Sequence, residues 1–189
     1  VSFATLTTLW ANRVMLALDL RLIEMKEKEK YVTMVNSNLD YIKRIDLPSN
    51  INVHWYEKGN ENIWVAINQA ADKYNIISNE LFDSQFNDKR QVLSERQCYF
   101  KDKNGTYFST GTAWEGREGE FKGYGRPHWI AVLPEFQGNG FGKAITIIVC
   151  NRLVSLGYEK AYLTTSTYRP IAIKMYKKIG FEIVSIEDP

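Results

Sequence analysis

Apolar residues recur at helical spacing in four stretches of this chain and alternate with polar ones in several shorter runs, a mixed α and β pattern. Over residues 5–30 the positions Leu6, Leu9, Trp10, Val14, Leu16, Ala17, Leu20 and Ile23 follow a helical period, and the stretch ends in a highly charged tail. Residues 32–49 are mixed and lead into Leu47-Pro48-Ser49-Asn50, which predicts a connector. Alternation over 51–56 predicts a strand. Ile63, Trp64, Ile67, Ala70, Ala71 and Tyr74 predict a helix over 61–74, and Ser78 is placed to cap a shorter one ending at Phe86. Residues 92–102 and 106–114 read as a hairpin around Lys103-Asn104-Gly105, followed by a Gly-rich loop over 115–125. Strands are then expected at 128–133, 160–165 and 181–186. Helices are expected at 144–156, closed by Gly157, and at 170–178, closed by Gly180.

Composition narrows the classes. A length of 189 residues suits one domain, and 44% hydrophobic with 24% charged residues is near the globular average. Disorder, collagen and a disulfide-stapled mini-protein are excluded. The formal charge of +2 gives no case for nucleic acid as partner. The most apolar run, 9–25, is broken by Arg13, Asp19 and Arg21, so no membrane span or signal peptide is expected. Cys98 and Cys150 have no metal-ligand spacing. They are expected to be free buried thiols in a reducing cytoplasm, with no metal site.

The chemistry concentrates where a strand stops at Pro134 and a Gly-rich turn opens a helix. Gly138, Gly140 and Gly142 let backbone approach a ligand without Cβ interference, and the helix end presents unpaired N–H groups. Such a turn suits a phosphate or pyrophosphate. The P-loop pattern fails because Ala144 follows Lys143, and the dinucleotide pattern fails because Lys143 stands at its third glycine.

The string Val132-x-Pro134-x-x-Gln137-Gly138-x-Gly140-x-Gly142 resembles the acyl-CoA-binding motif of the GNAT superfamily of N-acetyltransferases. The downstream string from Ala172 through Tyr176 to Gly180-Phe181 is similar to that superfamily's second motif. The resemblance covers about residues 51–186. It implies an α/β (α+β) fold, a mixed, twisted central sheet flanked by helices, whose fourth and fifth strands splay to admit acetyl-CoA. It divides the chain into an N-terminal helical extension and connector, 1–50, and an acetyltransferase domain, 51–189. It implies that the backbone of Ile130, Ala131 and Val132 holds the pantetheine and thioester. Gln137 then starts the turn, and Gly138, Asn139, Gly140, Phe141, Gly142 and Lys143 cradle the pyrophosphate. Tyr176 matches the tyrosine that serves the departing sulfur.

The implied reaction is direct attack of a neutral primary amine on acetyl-CoA, with a general base and a backbone oxyanion donor near Val132. His128 matches the position of a histidine in aromatic-amine acetyltransferases of the superfamily. Strand alternation would put it on the same face as Ile130 and Val132. Catalytic base and structural histidine are both open readings for it, with Glu115 and Glu118 as further base candidates. Arg169 stands where many members carry an Asn, and is placed to reach the cofactor's phosphates or carbonyls. Thr164 stands near a Glu of peptide-acetylating members. Trp64, Tyr74, Phe82, Trp114 and Trp129 are candidates for an aromatic acceptor pocket or for core. The expected partners are acetyl-CoA and an amine-bearing small molecule or peptide. Homodimers are common under this resemblance, and the 9–25 helix offers an interface. The rival readings are a non-catalytic acyl-CoA-binding module and a nucleotide-binding protein of another fold.

Overall fold

A computed structural model describes residues 29–117 and 119–189. The helix expected over 5–30 falls almost wholly outside the described residues. The elements run β1 (Tyr31–Asn36), β2 (Ile51–Trp55), α1 (Glu61–Ala71), α2 (Asn79–Phe86), α3 (Leu93–Arg96), β3 (Gln97–Asp102), β4 (Tyr107–Glu115), β5 (Gly125–Val132), α4 (Phe141–Ser155), β6 (Ala161–Ser166), α5 (Pro170–Lys177) and β7 (Glu182–Glu187).

Among the described residues, seven strands form one sheet in the order β2-β3-β4-β5-β6-β1-β7. Neighbours are antiparallel except β5 and β6, which run parallel and pair only at Gly125 and Ala161. Beyond that contact the two strands diverge, as the sequence resemblance implies. One core layer packs α4 and α5 onto the sheet through Ile145, Val149, Leu153 and Phe181. The other packs α1 and α2 onto the opposite face through Trp64, Ile67, Phe82 and Phe86.

Two expectations change. Residues 31–36, read largely as connector, form β1, an inner strand between β6 and β7. Val32 and Met34 point into the core, and Asn36 is buried too. The buried Asn36 hides the strand from a hydrophobicity pattern. Its amide is satisfied: Nδ2 donates to Ile179 C=O at 3.2 Å and Oδ1 accepts from Asn38 N–H at 3.0 Å. The strand expected from residue 92 starts at Gln97, because residues 87–96 wind into a 3₁₀ turn and α3.

If β1 is integral to the sheet, Met34→Ala should cost about 2–5 kcal/mol, the range for emptying a filled core position. Urea unfolding checks this. A loss below about 1 kcal/mol would show that β1 packs only peripherally.

Candidate active site

The divergence of β5 and β6 opens a cleft of about 330 Å³. His128, Ile130, Ala131 and Val132 line it from β5, Leu163 to Thr165 from β6, Asn68, Ala71 and Asp72 from α1 and its end, and Gln137, Arg169 and Tyr176 from the turn and α5. The sequence-predicted base, acid and thioester-binding strand thus meet in one place.

Backbone polarity explains what the strand edge can do. Leu133 N–H donates to Phe108 C=O of β4 at 2.8 Å. Alternation along an extended strand then turns the Val132 N–H to the other edge, towards β6. The Val132 carbonyl accepts from Gln137 Nε2 at 2.9 Å, so Gln137 ties the Gly-rich turn to the end of β5.

Gly138 and Gly140 have φ of 79° and 84°, which side chains other than glycine rarely tolerate, and a Cβ at either would meet nothing within 4 Å. Gly140 caps α4 without a side-chain hydrogen bond, and the first backbone bond into the helix runs from Ala144 N–H to Gly140 C=O at 3.0 Å. The amides of Phe141, Gly142 and Lys143 therefore stand ahead of the helical ladder. Gly142 serves packing: a Cβ there would lie 3.4 Å from Met175 Sδ of α5. A second cavity of about 450 Å³ shares Lys143 with this turn and is also lined by Tyr41, Lys43 and Lys178.

His128 does not share a face with Ile130 and Val132. Between Thr110–Ala131 and Thr112–His128 the register shifts, so Gly111 of β4 faces both Trp129 and Ile130. This is a β-bulge, with Trp129 at φ 49°. His128 packs on Phe86 and Trp129, against α2, whereas Ile130 belongs to the α4 side, where Gly111 approaches Ile130, Ile145 and Val149. Burial first, then Arg126 and Arg117 nearby, holds the His128 imidazole well below its ordinary value. Its Nε2 lies 3.0 Å from Gln85 Oε1.

Tyr176 is buried, and burial pushes its phenol up to about 12. Arg169 donates to both carboxylate oxygens of Asp72 at 3.0 Å and stacks on the Tyr74 ring. Any contact between Arg169 and an acyl donor is therefore shared with Asp72. Burial pushes the Asp72 carboxyl up, but hydrogen bonds from Asn75 and the Tyr74 N–H, with Arg169, outweigh it and hold the group below its ordinary value. Glu115 forms an ion pair with Lys89 and does not line the cleft. Glu118 lies outside the described residues. Of the aromatic candidates, Trp129 lines the cleft, while Trp64 and Phe82 are fully buried in the core. Cys98 and Cys150 are free and buried. Sequence reasoning missed Asp72, Gln85 and Arg126, which carry no motif.

The Acetyltransferase (GNAT) family model matches residues 61–181. The chain belongs to this family. Among curated relatives, the mycothiol acetyltransferase of Streptomyces griseus is 26% identical over 138 residues, covering 71% of this chain and 44% of the relative. That of Saccharomonospora viridis is 27% identical, covering 75% and 49%. The chain thus spans about half the length of the curated relatives it matches. A GCN5-related N-acetyltransferase from Sphaerobacter thermophilus superposes with a TM-score of 0.71 at 18% identity, covering 89% of this chain and 53% of that one. The ribosomal-protein-S18-alanine N-acetyltransferase of Escherichia coli superposes at 0.58 with 20% identity, covering 71% and 79%. These likenesses agree on the fold, and they match the GNAT architecture of a mixed sheet flanked by helices.

The His128 environment has a consequence for stability. An unfolded histidine titrates near ~6.5, whereas the folded one resists protonation to a lower pH. Between those values the unfolded state binds more protons, so this contribution is full above ~6.5 and is lost as pH falls below it. Thermal unfolding between pH about 7 and about 5 should show a falling midpoint in the native chain and a flatter profile in His128→Gln. Identical slopes would show that His128 is open to protonation.

Proposed function

We propose that this chain transfers an acetyl group from acetyl-CoA to a primary amine by direct attack. The observation that carries it is the convergence of His128, Tyr176 and the Val132 backbone on the cleft between β5 and β6. The residues present fit the acyl donor. The parted strand edges offer unpaired backbone to an extended chain, much as a sheet edge accepts an added strand. The two left-handed glycines and the three leading amides of α4 suit a pyrophosphate. Lys43, Lys143 and Lys178 around the adjoining cavity suit the nucleotide end with its further phosphate.

When bound, acetyl-CoA supplies the activated acetyl thioester. The chain's own residues do the rest. The Val132 N–H faces the cleft as a donor for developing negative charge. His128 stays neutral at working pH and accepts the amine's proton, directly or through water. Tyr176 holds a phenolic hydrogen at the cleft for the sulfur. Asp72 with Arg169 joins the end of α1 to the start of α5 in the lining of the cleft. The curated relatives carry the name mycothiol acetyltransferase. Acceptors of that kind belong in the assay panel beside simple amines and peptides. We also propose a cytoplasmic location and leave a homodimer to be measured.

Thiol release from acetyl-CoA across amine classes tests the reading. Tyr176→Phe should lower kcat about tenfold or more while acetyl-CoA binding, read by calorimetry, holds. Unchanged turnover would remove Tyr176 from the mechanism. Acetyl-CoA binding without turnover on any acceptor would favour the binding-module reading. In a separate binding series, Lys43→Ala and Lys178→Ala should each weaken CoA about two- to fivefold, and 3′-dephospho-CoA less. Equal losses for both ligands would place the 3′-phosphate away from these lysines, and no loss for either would place the nucleotide end elsewhere.

A further inference from the structure

Gln85 of α2 sits where two ring nitrogens converge. Trp129 Nε1 donates to its Oε1 at 3.1 Å, and His128 Nε2 lies 3.0 Å from the same oxygen. An indole N–H can only donate. The Gln85 atom at that point must therefore be its carbonyl oxygen, which settles the orientation of the amide on chemical grounds. A carbonyl oxygen can only accept, so His128 Nε2 must carry its hydrogen. A neutral imidazole has one N–H, which leaves Nδ1 as the lone-pair nitrogen.

We propose that Gln85 is a positioning residue: it fixes His128 as the Nε2–H tautomer and leaves Nδ1 unprotonated as the atom that accepts the substrate's proton.

A second observation bears on the same arrangement. Adjacent residues of a regular strand point to opposite faces. His128 and Trp129 do not: their rings lie 5.7 Å apart and both reach one acceptor on α2. The bulge opposite Gly111 makes this possible, with Trp129 held at φ 49°. A non-glycine residue in that region stores strain, and such strain gathers at sites that need a set geometry. The bond to Gln85 and the edge-on contact of Trp129 with Trp64, centroids 5.1 Å apart, hold it there. The groups that set the His128 charge state come from several elements: Arg126 on its own strand, Arg117 in the loop beyond β4, and neutral Gln85 and Phe86 on α2. Burial first, and then the two arginines, keep the ring neutral, the state in which one tautomer can be selected.

The proposal rests on the reading of His128 as base, and its test separates the two. Protein labelled with ¹⁵N-histidine gives the tautomer directly by long-range ¹H–¹⁵N correlation, with His54→Gln used to assign the one other histidine. The native chain should show a protonated Nε2 and an unprotonated Nδ1. Gln85→Leu, which removes the acceptor, should show a mixture of tautomers and a kcat about tenfold lower, with the KM for acetyl-CoA held. Gln85→Glu, which still accepts from both rings, should keep the Nε2–H form and recover much of the rate while moving the acid limb of the kcat profile upward. A protonated Nδ1 in the native chain, or a spectrum unchanged by Gln85→Leu, overturns the tautomer assignment even if Gln85→Leu is poorly folded, since the native spectrum needs no variant. A shifted tautomer with unchanged kcat overturns the positioning role. Full activity in His128→Gln overturns the base reading and leaves the tautomer result standing.

Discussion

The single backbone pairing between β5 and β6 governs the rest of the structure. Gly125 N–H donates to Lys160 C=O at 2.8 Å, and past that point two parallel strands that could have laddered do not. The joint is held by close packing on α4: a Cβ on Gly125 would lie 2.8 Å from Leu153 Cδ2, so only glycine lets the strand sit this near the helix. Had the strands stayed paired, the Val132 N–H and C=O would be spent in a sheet. Parted, the carbonyl is free to accept from Gln137 Nε2 and the N–H faces a cleft, where an unpaired backbone donor carries little penalty because water or ligand can meet it.

The bulge in β5 then sorts side chains between the two faces. Without it, His128, Ile130 and Val132 would share one face and compete for the α4 side. One residue of β4 against two of β5 breaks that alternation and sends His128 and Trp129 towards α2 while Ile130 stays with α4. Gly111 and Trp129 act as a pair in this. A Cβ on Gly111 would stand 2.7 Å from Ile130 Cδ1, so the bulged strand needs glycine opposite it as much as it needs the unusual φ.

The same two features mark where the sequence could be read and where it could not. The turn from Gln137 to Lys143 and the helix ending at Gly180-Phe181 were legible because glycines at fixed offsets carry a local conformational meaning that tertiary packing rarely overrides. The parting of β5 from β6 followed only from the family resemblance, since nothing in the two strands' own residues announces it. The bulge was not legible at all: its strained residue is a tryptophan, with no glycine to signal a positive φ. β1 was hidden for a different reason. Its buried face includes Asn36, which reads as polar in any hydrophobicity pattern and is satisfied only by Ile179 and Asn38, one of them distant in sequence. Asp72 and Arg169 meet across 97 positions, a pairing no local spacing reveals.

The Tyr176 environment decides which kind of acid it can be. Its phenol is pushed up to about 12, whereas a thiol titrates near ~8.5. Full transfer of the phenolic proton to a thiolate would run uphill by roughly three pKa units. A hydrogen bond from the same hydroxyl costs no such transfer, and it is strong because its acceptor is charged and its surroundings are dry. In the proposed reaction, burial therefore favours a tyrosine that stabilises the departing sulfur by donating without letting go, with solvent completing the protonation afterwards. The start of α4 also works by orientation: its leading backbone amides present the positive end of the helix beside Lys43, Lys143 and Lys178, a local concentration of positive character in a chain whose formal charge is only +2.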